Sequence, residues 1–152
     1  MNIRVAKQQD ITVLIQMGEK LHLVEKQYEP LLTFSVSDAV KRYEEALNND
    51  HSLLLIAEVD QVSVGYLYAH AQKVTSLDTS ELECEVEVVF VEEKYRGNGV
   101  AQILIKECIE WAKILNVFRF KSGIFTQNEA SQSVFQKLGF KPYHTEYILH
   151  TL

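Results

Sequence analysis

The sequence predicts a single α+β domain in which helices flank a mixed, mostly antiparallel central sheet. The chain has 152 residues, a length that suits one domain over residues 1–152. Hydrophobic residues make up 47% and charged residues 24%, which is typical of a globular domain with its own core. The hydrophobic spacing changes between strand and helix periods in the order β-α-α-β-β-β-α-β-α-β, without an internal repeat.

The first 50 residues predict one short strand and two helices. Residues 3–6 are β-like, and apolar residues at helical spacing follow Asp10, whose residue type is favoured at helix N-termini. Pro30 closes that region. A second helix opens at Ser37 and Asp38, and the polar run 48–50 ends it.

The central segment predicts three strands in succession. Residues 52–59 and 62–69 are apolar runs of strand length, and they are joined by a tight turn at Asp60-Gln61 that lacks the usual glycine. A polar loop over 75–80 precedes the third strand, which continues to residue 91. In this strand acidic and apolar residues alternate, so one face is apolar and the other carries Glu83, Glu85 and Glu87.

The last third of the chain predicts two more helices and two strands. Apolar residues at helical spacing run from Val100 to Leu115, and the segment 118–125 is a strand candidate. Residues 128–138 form the next helix, with Gly139 just past its end. The segment 143–149 is predicted as a final strand.

Composition excludes several classes of function. The formal net charge is −6 and no Lys/Arg run occurs, so a general nucleic-acid binder is not expected. Two cysteines cannot form a four-ligand zinc site, and the five histidines show no ligand spacing, so no metal is expected. No apolar run approaches the roughly 20 residues of a membrane span, and the N-terminus does not resemble a signal peptide. A soluble cytoplasmic protein is therefore expected.

A glycine-containing turn between a strand and a long helix carries the main functional signal. Gly97 and Gly99 let backbone N–H groups converge, and the helix that follows adds its own free N–H groups and its dipole. This arrangement favours phosphate binding, and Arg96 can add a charge-assisted contact. Neither the P-loop pattern nor the Rossmann fingerprint fits, because Val100-Ala101 follows the second glycine and no acidic residue occurs at the expected distance.

Two motifs resemble one known family. The run Arg96-Gly-Asn-Gly-Val-Ala101 resembles the Arg/Gln-x-x-Gly-x-Gly/Ala signature of the GCN5-related N-acetyltransferases, the GNAT family. The run Asn128-Glu-Ala-Ser131, followed by Val134-Phe135-x-Lys137-x-Gly139-Phe140, resembles a second segment of that family. The two motifs lie at the family's usual separation, and the order of elements matches over nearly the whole chain.

The resemblance implies acetyl-CoA as a co-substrate and direct transfer of its acetyl group to a primary amine. By this resemblance the pyrophosphate binds the loop from Arg96 to Ala101, and the pantetheine arm pairs with a strand backbone where two parallel strands splay apart. Asn128 contacts the arm and Phe135 lies near the sulfur. The implied cofactor-binding residues are Val89, Phe90, Val91, Arg96, Gly97, Asn98, Gly99, Val100, Ala101, Asn128 and Phe135.

The acidic strand supplies candidates for the general base. An amine acceptor arrives as an ammonium ion and must lose a proton before it attacks a thioester. Many relatives in the resembled family have a carboxylate here, and Glu87 is the first choice because it lies closest to the splay point, with Glu85 second. A solvated sheet face is the alternative for each glutamate. Phe135 departs from the resembled pattern, in which a Tyr hydroxyl protonates the leaving thiolate.

The sequence indicates the acceptor only through the distribution of charge. The acidic face, together with Asp78 and Glu81, favours a cationic small-molecule or peptide amine by charge. Nucleic acid and membrane are not expected as partners, and the choice between a monomer and a homodimer is open. Two alternatives to the enzyme remain, a non-catalytic acyl-CoA sensor and an interaction domain that keeps the same fold.

Overall fold

The computed structural model describes residues 1–74 and 79–151. A five-stranded sheet forms its centre, with the strands in the spatial order β1-β2-β3-β4-β5. The first three pairings are antiparallel and the β4–β5 pairing is parallel, so the mixed, mostly antiparallel sheet is confirmed. The strands are β1 Asn2–Val5, β2 Ser52–Val59, β3 Val62–Lys73, β4 Leu82–Val91 and β5 Phe120–Lys121.

Four helices cover the two faces of the sheet. They are α1 Ile11–Glu25, α2 Val36–Leu47, α3 Val100–Ile114 and α4 Glu129–Lys137. Helices α1 and α2 enclose one core, which contains Leu14, Tyr43 and Tyr66. Helices α3 and α4 enclose a second core on the opposite face, which contains Leu104 and Phe135. None of the helices in the described ranges is both long and apolar enough to cross a bilayer.

Local side-chain bonds decide where the first two helices begin. Ser35 caps α2 by accepting a hydrogen bond from the backbone N–H of Asp38 at 3.3 Å, so the helix begins at Val36, slightly before the predicted start. Asp10 lies at the N-cap of α1 but makes no capping bond to it. Its carboxylate instead accepts from Arg4 and from the N–H of Lys7, and the hydrogen bond from Arg4 lowers the pKa of Asp10.

The β2–β3 hairpin turns without a glycine, as the sequence predicts. Asp60 and Gln61 have φ values of 50° and 65°, so both central residues adopt the left-handed conformation of the turns that suit a right-twisted hairpin. Strand β3 then continues past Ala69 to Lys73. Most of the predicted 75–80 loop, with the acidic candidate Asp78, lies outside the described residues.

Two strand predictions were wrong in extent or in existence. The segment 118–125 contributes only Phe120–Lys121 to the sheet, because β5 pairs with β4 at two positions and then diverges from it. The predicted final strand over 143–149 is not formed. Its Tyr147, Ile148 and Leu149 are 92%, 68% and 85% exposed. A strand pattern needs a partner edge to form a strand, and this segment is paired with none in the described chain.

Candidate active site

A bulge in β4 sets the direction of Glu87. In the β3–β4 register, Val86 pairs with Ala69 and Val88 pairs with Tyr68, so Glu87 is an extra residue on β4. Val86 packs in the core under α3, whereas Val88 packs against the core under α1 and α2. The bulge therefore changes which residues of β4 face the α1–α2 layer and which face the α3 layer. Bulges are common next to active sites.

The three glutamates of β4 have different environments. Glu83 is 1% exposed and pairs with Arg119 at 3.0 Å and with Lys121 at 2.9 Å, so the solvated interpretation is wrong for this residue. Burial alone would raise the pKa of Glu83, but the hydrogen bonds from Lys121 and Arg119 outweigh it and lower that pKa. The side chains of Glu85 and Glu87 remain 29% and 34% exposed, and they are the two that a ligand can reach.

Glu87 lines a narrow cavity between α1, β4 and the segment after β5. The cavity brings together several of the sequence-predicted site residues with others that the motifs did not indicate. Val89, Asn128 and Phe135 are in its wall, and Glu85 is not. The full lining is Leu21, Glu25, Glu87, Val88, Val89, Ser122, Gly123, Ile124, Phe125, Asn128, Ser131 and Phe135.

Glu25 is a carboxylate that the sequence analysis missed. It is the last residue of α1 and lines the same cavity as Glu87, and burial raises the pKa of Glu25. Its position 62 residues away from Glu87 in the sequence gives no local pattern that would connect them. Tyr28, a few residues further on, packs against the ring of Phe125, a residue of the cavity wall, with ring centroids 5.7 Å apart.

Strands β4 and β5 part close to this cavity. Their register contains only Cys84 with Phe120 and Glu85 with Lys121, and the hydroxyl of Ser122 donates to the carbonyl of Val86 at 2.8 Å. Beyond that point residues 88–91 of β4 pair with β3 alone among the described strands. The divergence leaves a gap between two parallel strands, with one backbone edge of β4 open to it.

The gap leads towards the glycine turn before α3. Gly97 and Gly99 both have φ of +78°, and a Cβ built on either would meet nothing within 4 Å. Within the described parts of the chain, no backbone N–H of residues 97–102 has a hydrogen-bond partner. Free N–H groups, open space and a helix N-terminus coincide here, which is the donor set that an anionic phosphate needs.

Two side chains fix the shape of this turn. The Nε of Arg96 donates to the carbonyl of Val91 at 2.9 Å, and its guanidinium lies 6.0 Å from the ring centroid of Phe90. The amide of Asn98 donates to the carbonyls of Tyr95 and Arg96. Arg96 therefore ties the loop to the end of β4, which is a structural role in addition to any contact with an anion.

Asn128 and Phe135 come from α4. Asn128 caps the helix, with its Oδ1 accepting from the N–H of Ser131 at 3.1 Å, so the interpretation as an N-cap is confirmed. Phe135 is 5% exposed and packs edge-on against Phe140, with ring centroids 5.0 Å apart. Both residues also line the cavity, so helix capping, core packing and a ligand contact are compatible at these positions.

The remaining candidates have core roles. Tyr43, Tyr66 and Tyr68 are buried, and the hydroxyls of Tyr43 and Tyr66 lie 3.0 Å apart. Cys84 and Cys108 are fully buried with their sulfurs 3.8 Å apart, and the hydrogen bond with Cys84 together with burial raises the pKa of the Cys108 thiol. The same hydrogen bond lowers the pKa of the Cys84 thiol. Both sulfurs lie in the core, away from the cavity that contains Glu87.

A side-chain network across β3 and β4 was not visible in the sequence. His70 Nδ1 lies 3.5 Å from Oε1 of Glu87, and His70 Nε2 lies 3.1 Å from Oε1 of Gln72. The amide nitrogen of Gln72 donates to Oε2 of Glu85 at 3.0 Å. Period-two alternation places His70 and Gln72 on one face of β3, and only the sheet register brings that face to the two glutamates.

Comparison with known proteins identifies the family. A model described as the acetyltransferase (GNAT) family matches residues 21–140, which include the glycine turn, both reachable glutamates and the whole of α4. The chain belongs to this family. The resemblance drawn from the two motifs is thereby confirmed.

Relatives by sequence include other acetyltransferases. The aminoglycoside N(6')-acetyltransferase type 1 of Salmonella typhimurium is 33% identical over 100 residues, which cover 64% of this chain and 68% of that protein. An uncharacterised N-acetyltransferase of Methanocaldococcus jannaschii is 23% identical over 95 residues, and the match spans 42% of its length. This chain thus covers less than half of the archaeal relative.

Solved structures of the same fold match nearly the whole chain. The apo aminoglycoside 6'-N-acetyltransferase AAC(6')-IG of Acinetobacter haemolyticus superposes with a TM-score of 0.79 at 23% identity, over 100% of this chain and 99% of that one. The aminoglycoside N-acetyltransferase AAC(6')-Iy in complex with CoA superposes with a TM-score of 0.77 at 25% identity, over 99% and 93% of the two chains. The α+β GNAT fold is confirmed.

Proposed function

We propose that the protein is an N-acetyltransferase that moves an acetyl group from acetyl-CoA directly to a primary amine, with both substrates bound together. The observation that carries the proposal is the sequence of three features along β4 and the loop after it, namely the cavity containing Glu87, the gap between β4 and β5, and the glycine turn. The two ends of this series differ in chemistry. One end offers backbone donors for an anion, and the other offers carboxylates for a cation.

The residues of these three features fit acetyl-CoA, the donor expected of an acetyltransferase of this family. The N–H groups of Gly97, Asn98, Gly99, Val100 and Ala101 would hold the pyrophosphate, and Arg96 would keep the loop against β4. The open backbone edge of Val89, Phe90 and Val91 would take the pantetheine arm, and Asn128 and Phe135 would border its far end. The donor supplies an acetyl thioester, whose carbonyl is the reacting centre.

Glu87 is the proposed general base. Its carboxylate lines the cavity and is partly exposed, so an ammonium group can reach it directly or through a water molecule. Glu85 pairs with Lys121 at 3.4 Å and accepts from Gln72, so it is better placed to support the network than to receive a proton. A backbone N–H near Val89 would stabilise the oxyanion that develops on the acetyl carbonyl.

The leaving thiolate has no tyrosine beside it at position 135. A thiol with a pKa near ~8.5 departs as a thiolate without an acid, and general-acid help contributes only ~10²–10⁴-fold. Ser131 lines the cavity and carries a hydroxyl, whereas Tyr143 is 75% exposed and contacts Arg119. Ser131 is therefore the better substitute of the two.

The proposed acceptor is a cationic small-molecule amine. Support comes from two carboxylates in one cavity, Glu25 and Glu87, from the net charge of −6 and from relatives named as aminoglycoside acetyltransferases. A small amine fits the narrow cavity better than a folded partner does. A peptide amine is the second candidate, since an extended chain end could enter in the same way.

A thiol-release assay with acetyl-CoA tests this function directly. The panel contains diamines, polyamines, aminoglycosides and peptide amines, and calorimetry measures CoA binding in parallel. We expect CoA binding and thiol release with at least one cationic amine. Binding without release over the whole panel would identify an acyl-CoA sensor, and absence of both would leave an interaction domain with this fold.

We also propose that two copies associate. The outer edge of β5 has no partner strand in the described chain, and the segment 143–149 has a strand pattern with exposed Tyr147, Ile148 and Leu149. In a dimer, the segment 143–149 of one copy would pair with the open edge of β5 in the other copy. Light scattering of the full chain should give the mass of a dimer, and Ile148→Asp should reduce it to a monomer. The cytoplasmic location stays a prediction.

A further inference from the structure

The direction of hydrogen bonds across the acidic face fixes the tautomer of His70. Glu85 lies 3.4 Å from the ammonium group of Lys121, and a carboxylate only accepts hydrogen bonds. The Gln72 group that faces Glu85 at 3.0 Å must therefore be the amide nitrogen. The amide oxygen of Gln72 then faces His70, so the His70 Nε2, 3.1 Å away, must carry a hydrogen and donate it.

This tautomer leaves the other ring nitrogen without a hydrogen. In neutral His70 the Nδ1 lone pair faces Oε1 of Glu87 at 3.5 Å, and Nδ1 is buried with no hydrogen-bond partner in the described chain. Two lone pairs facing each other in a partly buried site repel. One proton between them removes the repulsion, whether it resides on Nδ1 or on the carboxylate.

We infer that His70 and Glu87 act together as a dyad that takes up and shares the proton of the acceptor amine. His70 acts through Glu87, so it is a positioning residue for that carboxylate, and Gln72 and Glu85 in turn fix its ring. This inference rests on the proposed function. It extends that function by naming where the first proton goes.

The step balances without any added reagent. The acceptor enters as R–NH₃⁺ and gives one proton to Glu87, which shares it with His70 Nδ1 and leaves R–NH₂. The amine nitrogen then bonds to the acetyl carbon while the carbon–sulfur bond breaks. The second proton passes from nitrogen to the CoA thiolate, and the dyad returns the first proton to water, so the products are the amide, the CoA thiol and one proton.

The charged groups nearest to the His70 ring are carboxylates. From β4, Glu87 lies 3.5 Å and Glu85 lies 4.0 Å from the His70 ring nitrogens, and the only cation beside them in the described network, Lys121 of β5, contacts Glu85. On β3, the Tyr68 ring lies 6.0 Å from the His70 ring, and on β2 the register partner of His70 is the neutral Ser52. Two carboxylates therefore face the His70 ring from β4.

Nuclear magnetic resonance of ¹⁵N-labelled histidine in the full chain tests the tautomer without relying on activity. His70→Gln assigns the signals. We expect neutral His70 to carry its hydrogen on Nε2, and Gln72→Met, which keeps the side-chain length but removes the amide, to populate both tautomers. A wild-type ring with its hydrogen on Nδ1 would overturn the inference.

The same spectra followed over pH test the shared proton. Glu87→Gln removes the charge that stabilises the imidazolium, so the pH midpoint for protonation of His70 should fall. Glu45→Gln, an exposed control on α2, should leave that midpoint unchanged. An unmoved midpoint in Glu87→Gln would show that the two residues do not share a proton.

Kinetics then separates proton uptake from packing. His70→Asn keeps a donor near the place of Nδ1, and His70→Gln keeps one near Nε2, but neither amide accepts a proton. Both variants should lower kcat about tenfold or more with CoA affinity unchanged. Wild-type kcat in folded His70→Asn would overturn the dyad and leave the acetyltransferase intact. If the wild type transfers no acetyl group at all, the proposed function fails and the spectra alone decide the dyad.

Discussion

The glycine turn and the acidic face of the sheet are built from different parts of the chain. The turn over residues 96–101 offers backbone N–H groups, and its geometry depends on two positive φ angles within four residues. The acidic face combines side chains of β3 and β4, which are joined by the register of the sheet and by a bulge at Glu87, and Glu25 of α1 lies beside it in the cavity. The first is a local structure and the second is assembled only on folding.

This difference determines what can damage each region. Backbone donors have no side chain to remove, so the turn is sensitive to an added Cβ and tolerant of side-chain loss. The acidic face depends on which groups carry protons, so a change of a single atom from oxygen to nitrogen is enough to disable it.

Replacement of Glu87 should have the largest effect. Glu87→Gln keeps the shape and removes the base, so kcat near neutral pH should fall about 10²-fold or more. Activity should recover partly at high pH, where free amine is abundant, and CoA affinity should barely change. Activity measured over pH for the variant and the wild type checks this.

Exposed Glu45→Gln serves as the matched control and should keep wild-type activity at every pH. If the activity of Glu87→Gln relative to the wild type is constant over the whole pH range, the base is not Glu87 but Glu85, another residue or solvent. The dyad with His70 would fail at the same time.

An added Cβ in the glycine turn should have the next largest effect. Gly99 has φ of +78° and open space around it, so Gly99→Val places a branched side chain where the pyrophosphate would lie. CoA affinity by calorimetry should fall about tenfold or more, since a lost charge-assisted hydrogen bond costs about 1.5–3 kcal/mol. Arg96→Ala should cost less, because the backbone supplies most of the donors.

Gly139→Val separates obstruction from backbone strain. Gly139 has φ of +91° and also meets nothing within 4 Å, so the substitution strains the chain in the same way, outside the loop. It should lower the melting temperature as Gly99→Val does and leave CoA affinity close to that of the wild type. If folded Gly99→Val binds CoA with the affinity of the wild type, the pyrophosphate does not bind at this turn.

The sequence predicts the local region far better than the assembled one. The turn could be recognised because its glycines, the strand before it and the helix after it are neighbours in the chain, and the structure has both φ angles positive. Helix and strand positions were also predictable where the hydrophobic period is clear, as in β2 and α3. Each of these signals lies within one element.

Other features depend on pairing, which no single segment encodes. Glu25 and His70 reach the site only through the packing of α1 and the register of β3. Glu83 has the same residue type and spacing as Glu85, but Arg119 and Lys121 make it a buried ion pair. The segment 143–149 has a strand pattern but pairs with no strand of the described chain.

Glu25 tests whether the acidic face recognises the acceptor as well as deprotonating it. Glu25→Gln should raise the KM for a cationic amine about tenfold, since a hydrogen bond to a charged group contributes about 1.5 kcal/mol or more. The kcat and the CoA affinity should change little. Unchanged KM with every cationic amine would exclude Glu25 from the acceptor site.

Although Glu25→Gln should weaken acceptor binding, the same substitution should increase the stability of the fold at neutral pH. Burial raises the pKa of Glu25, so the folded protein retains this proton to a higher pH than the unfolded chain, whose glutamates titrate near ~4.3. Stability therefore falls as the pH rises from the pKa of the unfolded chain to the higher pKa of Glu25 in the folded protein. A glutamine does not titrate, so Glu25→Gln should not show this fall. Thermal melts should show Glu25→Gln more stable than the wild type at pH 7 and indistinguishable from it well below pH 4.

Phe135→Tyr should have the smallest effect and tests where the two regions meet. The Phe135 ring packs against Phe140 and borders the cavity, so a hydroxyl added at its tip would lie near the proposed position of the sulfur. If unaided departure of the thiolate limits the rate, kcat should rise several-fold. If deprotonation by Glu87 limits it, kcat should not change.

Phe140→Tyr, in the same cluster but outside the cavity wall, should give no gain. A large loss in folded Phe135→Tyr would mean that the ring tip packs against protein, and the thioester would then have to lie elsewhere in the gap.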